Sequence, residues 1–145
     1  FDYRVHLATI LPLLPQLTSL LILNSGSDIV QFVTLSTSLK ILSLPLSDIR
    51  NLNSDTQAII RDRIEELRIL IRGTSSRDPH TALSAIVSGS RVMKKVIVDG
   101  SESSRHRATV DATMNVVIPV CKQAKVELWK ENFQVGNGKV DLDSK

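Results

Sequence analysis

Residues 17–25, LTSLLILNS, and residues 39–47, LKILSLPLS, are two versions of one phrase. Leu17, Leu20, Ile22 and Ser25 return 22 residues later as Leu39, Leu42, Leu44 and Ser47. The phrase sets apolar residues at positions i, i+3 and i+5 and a small polar residue at i+8. Recurrence at a period of about 20 to 50 residues signals stacked supersecondary units, each of which buries its apolar face only against its neighbours.

The pattern extends along the chain. A third copy starts at Ile64 and continues through Leu67 and Ile69, with a competing frame that starts at Leu67. A fourth runs Met93, Val96, Val98 and Ser101, and a degraded fifth, QAKVELWKE, has Gln123 in first place followed by Val126 and Leu128. Successive starts at 17, 39, 64, 93 and 123 are 22, 25, 29 and 30 residues apart.

The segments between the copies have a helical period. Asp28 with Gln31 and Ser54 with Gln57 are capping-box spacings, Asp78-Pro79 pairs a cap with proline at the first helical position, and Ser103 or Ser104 starts a last helix. Apolar stripes follow: Ile29, Phe32 and Val33; Ala82, Ala85 and Ile86, with a stop at Gly89; and Val110, Met114, Val117 and Cys121. Upstream, Leu7, Ile10, Leu11 and Leu14 predict a further helix ended by Pro15. Short strands alternating with helices predict a parallel sheet. Two architectures compete, a doubly wound sheet buried on both faces and a solenoid that covers one face. KKVIVDG and AKVELWK alternate apolar with charged residues, so one face meets water, and neither GxGxxG nor GxxxxGK[ST] occurs. The expected fold class is α/β, a solenoid of about five strand-helix units with a parallel sheet on its concave face and helices on its convex face.

The LxxLxL core, the polar i+8 position and the unit lengths resemble leucine-rich-repeat proteins. The resemblance implies that the first, fourth and sixth residues of each phrase point inward and that the residues between them stand on the concave face. Those include Leu21 and Leu23, Ile41 and Ser43, Glu66 and Arg68, Lys95 and Asp99, and Lys125, Glu127 and Trp129. Ser25, Ser47 and Ser101 stand where that family usually carries Asn or Cys. Helical connections and units of about 30 residues are most similar to the C-terminal repeat region of fungal F-box-type proteins, in which the repeats recruit the substrate of a cullin ubiquitin ligase. The ending, VELWKENFQVGNGKVDLDSK, is similar to the tails of such proteins.

Composition sets the outer bounds. A chain of 145 residues with 42% apolar content suits one domain. Net charge is +3; residues 1–60 hold three Lys/Arg against four Asp/Glu, whereas residues 61–145 hold fifteen against eleven. Arg91, Lys94, Lys95, Arg105 and Arg107 crowd one loop, but aromatic residues are only 3% of the chain, which argues against nucleic acid as partner. No apolar run reaches membrane-spanning length and the first residues do not form a secretory signal, so the segment reads as soluble and as a piece of a longer protein. A single cysteine and no Asn-x-Ser/Thr acceptor point to an intracellular location.

Catalytic, metal and cofactor chemistry are not expected. His6, His80 and His106 lie in different units and Cys121 continues a helix stripe, as a core thiol does. The loop Asp99 to Arg105 has serines and basic residues before a helix N-terminus, a pattern that helix capping accounts for. Asn137-Gly138 predicts a type I′ turn that folds residues 133–142 into a hairpin, Val135 opposite Val140 and Phe133 opposite Leu142, capping the end of the repeats. The expected division is a leucine-rich-repeat region over 1–132 and a cap and tail over 133–145. The expected function is non-enzymatic protein binding through a concave-face strip of Ser43, Arg68, Lys95, Asp99, Lys125, Glu127 and Trp129. A structural scaffold of a larger protein and a small α/β enzyme are the alternatives.

Overall fold

A computed structural model describes residues 11–21, 29–49, 52–71, 80–100, 107–133 and 136–142. The class is α/β, built on a six-stranded, mostly parallel sheet. A 3-10 helix over Leu11–Gln16 leads into β1 (Ser19–Leu21). Then follow α1 (Ile29–Leu35), β2 (Ile41–Pro45), a single helical turn α2 (Leu46–Ile49), α3 (Ser54–Arg63) and β3 (Glu66–Leu70). The chain closes with α4 (His80–Gly89), β4 (Lys95–Asp99), α5 (Arg107–Ala124), β5 (Glu127–Glu131) and β6 (Gly138–Lys139).

The strands lie in the sheet in the order of the chain. Among the described strands the first five are parallel, and β6 runs antiparallel to β5. A parallel neighbour requires a crossover long enough to return the chain to the same end of the sheet. The helices supply it and pack side by side, α1 on α3, α3 on α4 and α4 on α5. Side chains alternate across a strand, so one set must face these helices. The row Leu42, Leu67, Val96 and Leu128 is in register and buried to within 1% of complete. Leu44, Ile69 and Val98 form a second row, and both join Phe32, Val33, Ile60, Leu83, Ile86, Val110 and Val117 in one core.

The junctions into the strands repeat as faithfully as the leucines. The Thr18 carbonyl accepts from the N–H groups of Lys40 and Ile41 at 2.8 and 2.9 Å, that of Lys40 from Glu65 and Glu66 at 2.8 and 3.1 Å, and that of Glu65 from Lys94 and Lys95 at 2.7 and 3.1 Å. Three successive units therefore enter the sheet in one backbone geometry. Register also decides the third frame: Leu67 pairs with Leu42 and Val96, so the unit begins at Ile64 and the competing start at Leu67 is ruled out.

The fifth unit departs from expectation. Val96 pairs with Leu128 and Lys95 with Glu127, so Lys125, and not Gln123, holds the first position. The cause is local. Gln123 belongs to α5, which ends in a Schellman motif: Val126 N–H donates to the Cys121 carbonyl at 2.9 Å and Lys125 N–H to that of Lys122 at 3.4 Å. Lys125 takes the left-handed conformation at φ 60°, where glycine is the usual residue.

Other local expectations shift by similar amounts. The N-cap of α3 is Asn53, whose side chain accepts from Thr56 N–H at 2.8 Å, and not Ser54; Gln57 turns back to the Leu52 carbonyl at 3.1 Å. Pro15 sits inside the 3-10 helix and does not end it. Helix α4 buries Leu83, Ile86 and Val87, leaving Ala85 exposed, and α5 buries Thr113 beside the expected Val110, Val117 and Cys121. The caps at Asp28, Asp78-Pro79 and Ser103 or Ser104 lie outside the described residues, as do Ser25 and Ser101 and the side chain of Ser47.

The C-terminal hairpin forms in a different register from the expected one. Trp129 pairs with Lys139 and Lys130 with Gly138, which makes β5 itself the first arm and Gly138 a strand residue. The Asn137 side chain closes the connection, accepting from Phe133 N–H at 2.7 Å and donating to the Phe133 carbonyl at 2.8 Å. An amide side chain that pairs with a backbone unit in this way replaces the two-residue turn, and Val135 lies outside the described residues. The Phe133 ring lies on Gly100, where an added Cβ would stand 2.6 Å from it. Phe133, Val140 and Leu142 pack against the core.

Candidate protein-binding face

The face of the sheet turned away from the helices is the candidate site. Register arranges its side chains as a grid. One row runs Ser19, Ile41, Glu66, Lys95 and Glu127; the next Leu21, Ser43, Arg68, Ile97, Trp129 and Lys139; the third Pro45, Leu70, Asp99 and Glu131. Of the expected strip, Ser43, Arg68, Lys95, Asp99, Glu127 and Trp129 thus share this face. Lys125 does not, because it occupies the end of α5 two residues before β5 begins. Leu23 lies outside the described residues.

The grid changes character along its length. At the β1 end Leu21 is 57% exposed and Ile41 partly so. Toward β4 and β5 the charged side chains satisfy one another. The guanidinium of Arg68 reaches over β4 to Glu131, Nη1 to Oε2 at 2.5 Å, and stands 4.0 Å from Asp99. Neighbouring strands are about 4.8 Å apart, so only a side chain of arginine's length bridges β3 to β5. Asp99 also accepts from Asn132 at 3.0 Å. Beneath this network Ile97 and Leu70 are buried, 1% and 9% exposed, although neither belongs to the main core.

The first row alternates in sign. Lys95 lies 3.8 Å from Glu66 and Lys139 3.2 Å from Glu127. Lys95 also places its ammonium 4.4 Å from the centroid of the Trp129 ring, a cation–π contact worth about 0.5–1 kcal/mol in a partly exposed setting. The Trp129 indole N–H is buried and has no hydrogen-bond partner among the described residues. Arg68 and Lys95 are therefore held within the protein, and the least encumbered apolar contact on the face is Leu21. Glu131 and Lys139 were not among the sequence-based candidates. Anchoring the fifth phrase on Leu128 would have found Glu131, since it sets Trp129 and Glu131 in the alternating outward places.

A second ladder runs along the rim where the strands begin. Glu65 lies between Lys40 at 3.6 Å and Lys94 at 2.8 Å, all three at the second position of their phrases. The hydrogen bond from Lys94, then its charge, holds the Glu65 carboxyl below the ordinary glutamate range, and the same contact raises Lys94. The basic cluster of the sequence is thus partly neutralised, Lys94 by Glu65 and Lys95 by Glu66. Arg105 and most of the Asp99 to Arg105 loop lie outside the described residues.

Residues considered for catalysis stand apart. Cys121 is fully buried, and desolvation pushes its thiol up to about 12, far from a nucleophile's range. The open groove of about 510 Å³ beside it is lined, among the described residues, by lysines, acids and aliphatic residues and no histidine. His80 instead places Nε2 2.9 Å from the Thr113 hydroxyl, and His6 and His106 lie outside the described residues. Among the described residues no group of three or more His, Cys, Asp or Glu could hold a metal ion, and no helix is long and apolar enough to cross a membrane.

No protein-family model, curated protein or solved structure matches this chain.

Proposed function

We propose that this chain is a leucine-rich-repeat type solenoid that binds another polypeptide through the open face of its sheet. The observation that carries the reading is the in-register grid of non-repeating side chains opposite a strictly repeating apolar face. A face of varied composition, on which Leu21 is exposed at one end while Ser43, Leu70 and Ile97 are buried among charged side chains, offers an apolar contact beside polar ones, the two ingredients of an interface. The intracellular placement belongs to the same proposal and rests on one unpaired, buried cysteine and the lack of an Asn-x-Ser/Thr acceptor.

In its most specific form the proposal makes the chain the substrate-recruiting region of an F-box-type ubiquitin ligase adaptor. That form rests on the resemblance of phrase and unit length alone, and co-purification of a cullin with the full-length protein tests it. The general form is tested by replacing single residues with a photo-crosslinking amino acid. At Leu21, on the open face, crosslinking to one discrete polypeptide is expected; at Ile118, exposed on the helix side, none is. The reverse pattern would reject the open face as the interface.

A further inference from the structure

The last strand is an unusual way to finish a sheet. β5 is bonded to β4 over its five residues, yet β6 covers it with only two, Gly138 and Lys139. Both glycines of the covering segment hold positive φ, 79° at Gly136 and 116° at Gly138, and Val140 N–H adds one bond to the Leu128 carbonyl at 2.7 Å. So short a strand, entered through residues of high conformational entropy, contributes little to its own retention. Among the described residues it also fills its place incompletely. Val140 and Leu142 face the core side, and the 510 Å³ groove lies between them and Cys121 and Val126.

We propose that β6 is a displaceable placeholder, and that the β5 edge with its adjoining groove accepts an extended basic-apolar peptide in trans. The peptide runs antiparallel to β5, with a lysine or arginine opposite Trp129 and bulky apolar residues at the first and third positions after it. Charge complementarity selects the cation: Lys139 occupies that place in cis and bonds Glu127 at 3.2 Å, whereas Glu131 is already engaged by Arg68. The unfilled groove selects side chains larger than those of Val140 and Leu142. Main-chain pairing to a sheet edge supplies affinity and alternate side chains supply specificity. A second copy of the chain is a poor occupant, because pairing two β5 strands about Trp129 sets Glu127 opposite Glu131 twice, and like charges directly opposite are destabilising. The proposal is independent of recognition on the open face, and a failed crosslink at Leu21 leaves it standing.

While β6 holds the edge, apparent affinity falls by the fraction of time that the edge is free. The test measures fluorescence anisotropy of labelled peptides against the full chain and two variants. Gly138→Pro cannot keep φ 116° and frees the edge without altering β5; Lys139→Glu does so by repulsion from Glu127. The probes are the peptide GNGKVDL, its double-phenylalanine form (Val140→Phe, Leu142→Phe) and its Lys139→Glu form. At least one freed variant is expected to bind the phenylalanine peptide about tenfold more tightly than the wild-type chain does, and the glutamate peptide about tenfold more weakly than the lysine one. Equal binding of lysine and glutamate peptides, no binding to either folded variant, or self-association of the variants in place of peptide binding would overturn the proposal.

Discussion

The two faces of the sheet are made by the same five strands and obey different rules. Toward the helices, Leu42, Leu67, Val96 and Leu128 occupy equivalent places and are fully or almost fully buried. Away from them, the corresponding row reads Leu21, Ser43, Arg68, Ile97 and Trp129, with no residue type repeated. Close packing against a stacked neighbour dictates shape, and shape here means one aliphatic side chain after another. On the open face Ser43, Leu70 and Ile97 are also buried, but the rows vary in residue type and their charged members form ion pairs and a cation–π contact.

The sharpest way to break this comparison is to change adjacent residues on opposite faces. Leu67→Ala is expected to cost about 2–5 kcal/mol, read by denaturant unfolding, because it empties a site at the centre of the core. Arg68→Ala, one residue along, should cost about 1 kcal/mol or less, since its pairs with Glu131 and Asp99 are partly solvated. Equal losses would mean that the open face is as structural as the core.

Just past the end of β4, the Phe133 ring rests on Gly100. Gly100→Ala should cost about 1–3 kcal/mol by forcing that ring away, and a companion Phe133→Leu should restore part of the loss. Helix ends give smaller effects. Asn53→Ala removes the cap of α3 and should lower stability by about 1 kcal/mol, whereas Ser54→Ala should change little, which distinguishes the observed cap from its neighbour. Lys125→Gly should stabilise the chain by up to about 1 kcal/mol by relieving a left-handed lysine.

The Glu65 rim gives the smallest effect and a definite sign with pH. Its carboxyl is lowered in the folded state, so its contribution is present above the unfolded glutamate pKa and is lost as pH falls through the lowered value. Lys94 is raised, so its share holds below the unfolded lysine pKa and is lost as pH rises through the folded one. Glu65→Gln should flatten the acid limb of a stability-versus-pH curve, with no change near neutrality in helix content by circular dichroism.

The sequence made the packed face legible because packing is periodic. The starts at Leu17, Leu39, Ile64 and Met93 are the observed frames of the first four phrases, and the parallel order follows from alternation with helices. The fifth phrase was misplaced for a physical reason: α5 extends to Ala124 and a lysine in an unusual conformation ends it, so the apolar Val126 and Leu128 look like the i+3 and i+5 pair when they are not. The open face was legible only as a set of positions. That Arg68 is engaged by Glu131, 63 residues away, depends on a register that no local pattern encodes. The tail was misread because Asn137-Gly138 is a strong turn signal in isolation, and here the Asn137 side chain bonds Phe133 while β5 takes the pairing.

If packing occupies one face and recognition the other, inverting charges on the open face without breaking their pairs should separate the two. Glu66→Lys, Lys95→Glu, Glu127→Lys and Lys139→Glu together keep the Glu66–Lys95 and Glu127–Lys139 pairs and reverse their polarity. Affinity for the polypeptide crosslinked at Leu21, measured beside the melting temperature, is the decisive quantity. The account predicts a melting temperature within about 5 °C of the wild type and binding weaker by about tenfold or more. Wild-type affinity in a folded, fully inverted variant would contradict it.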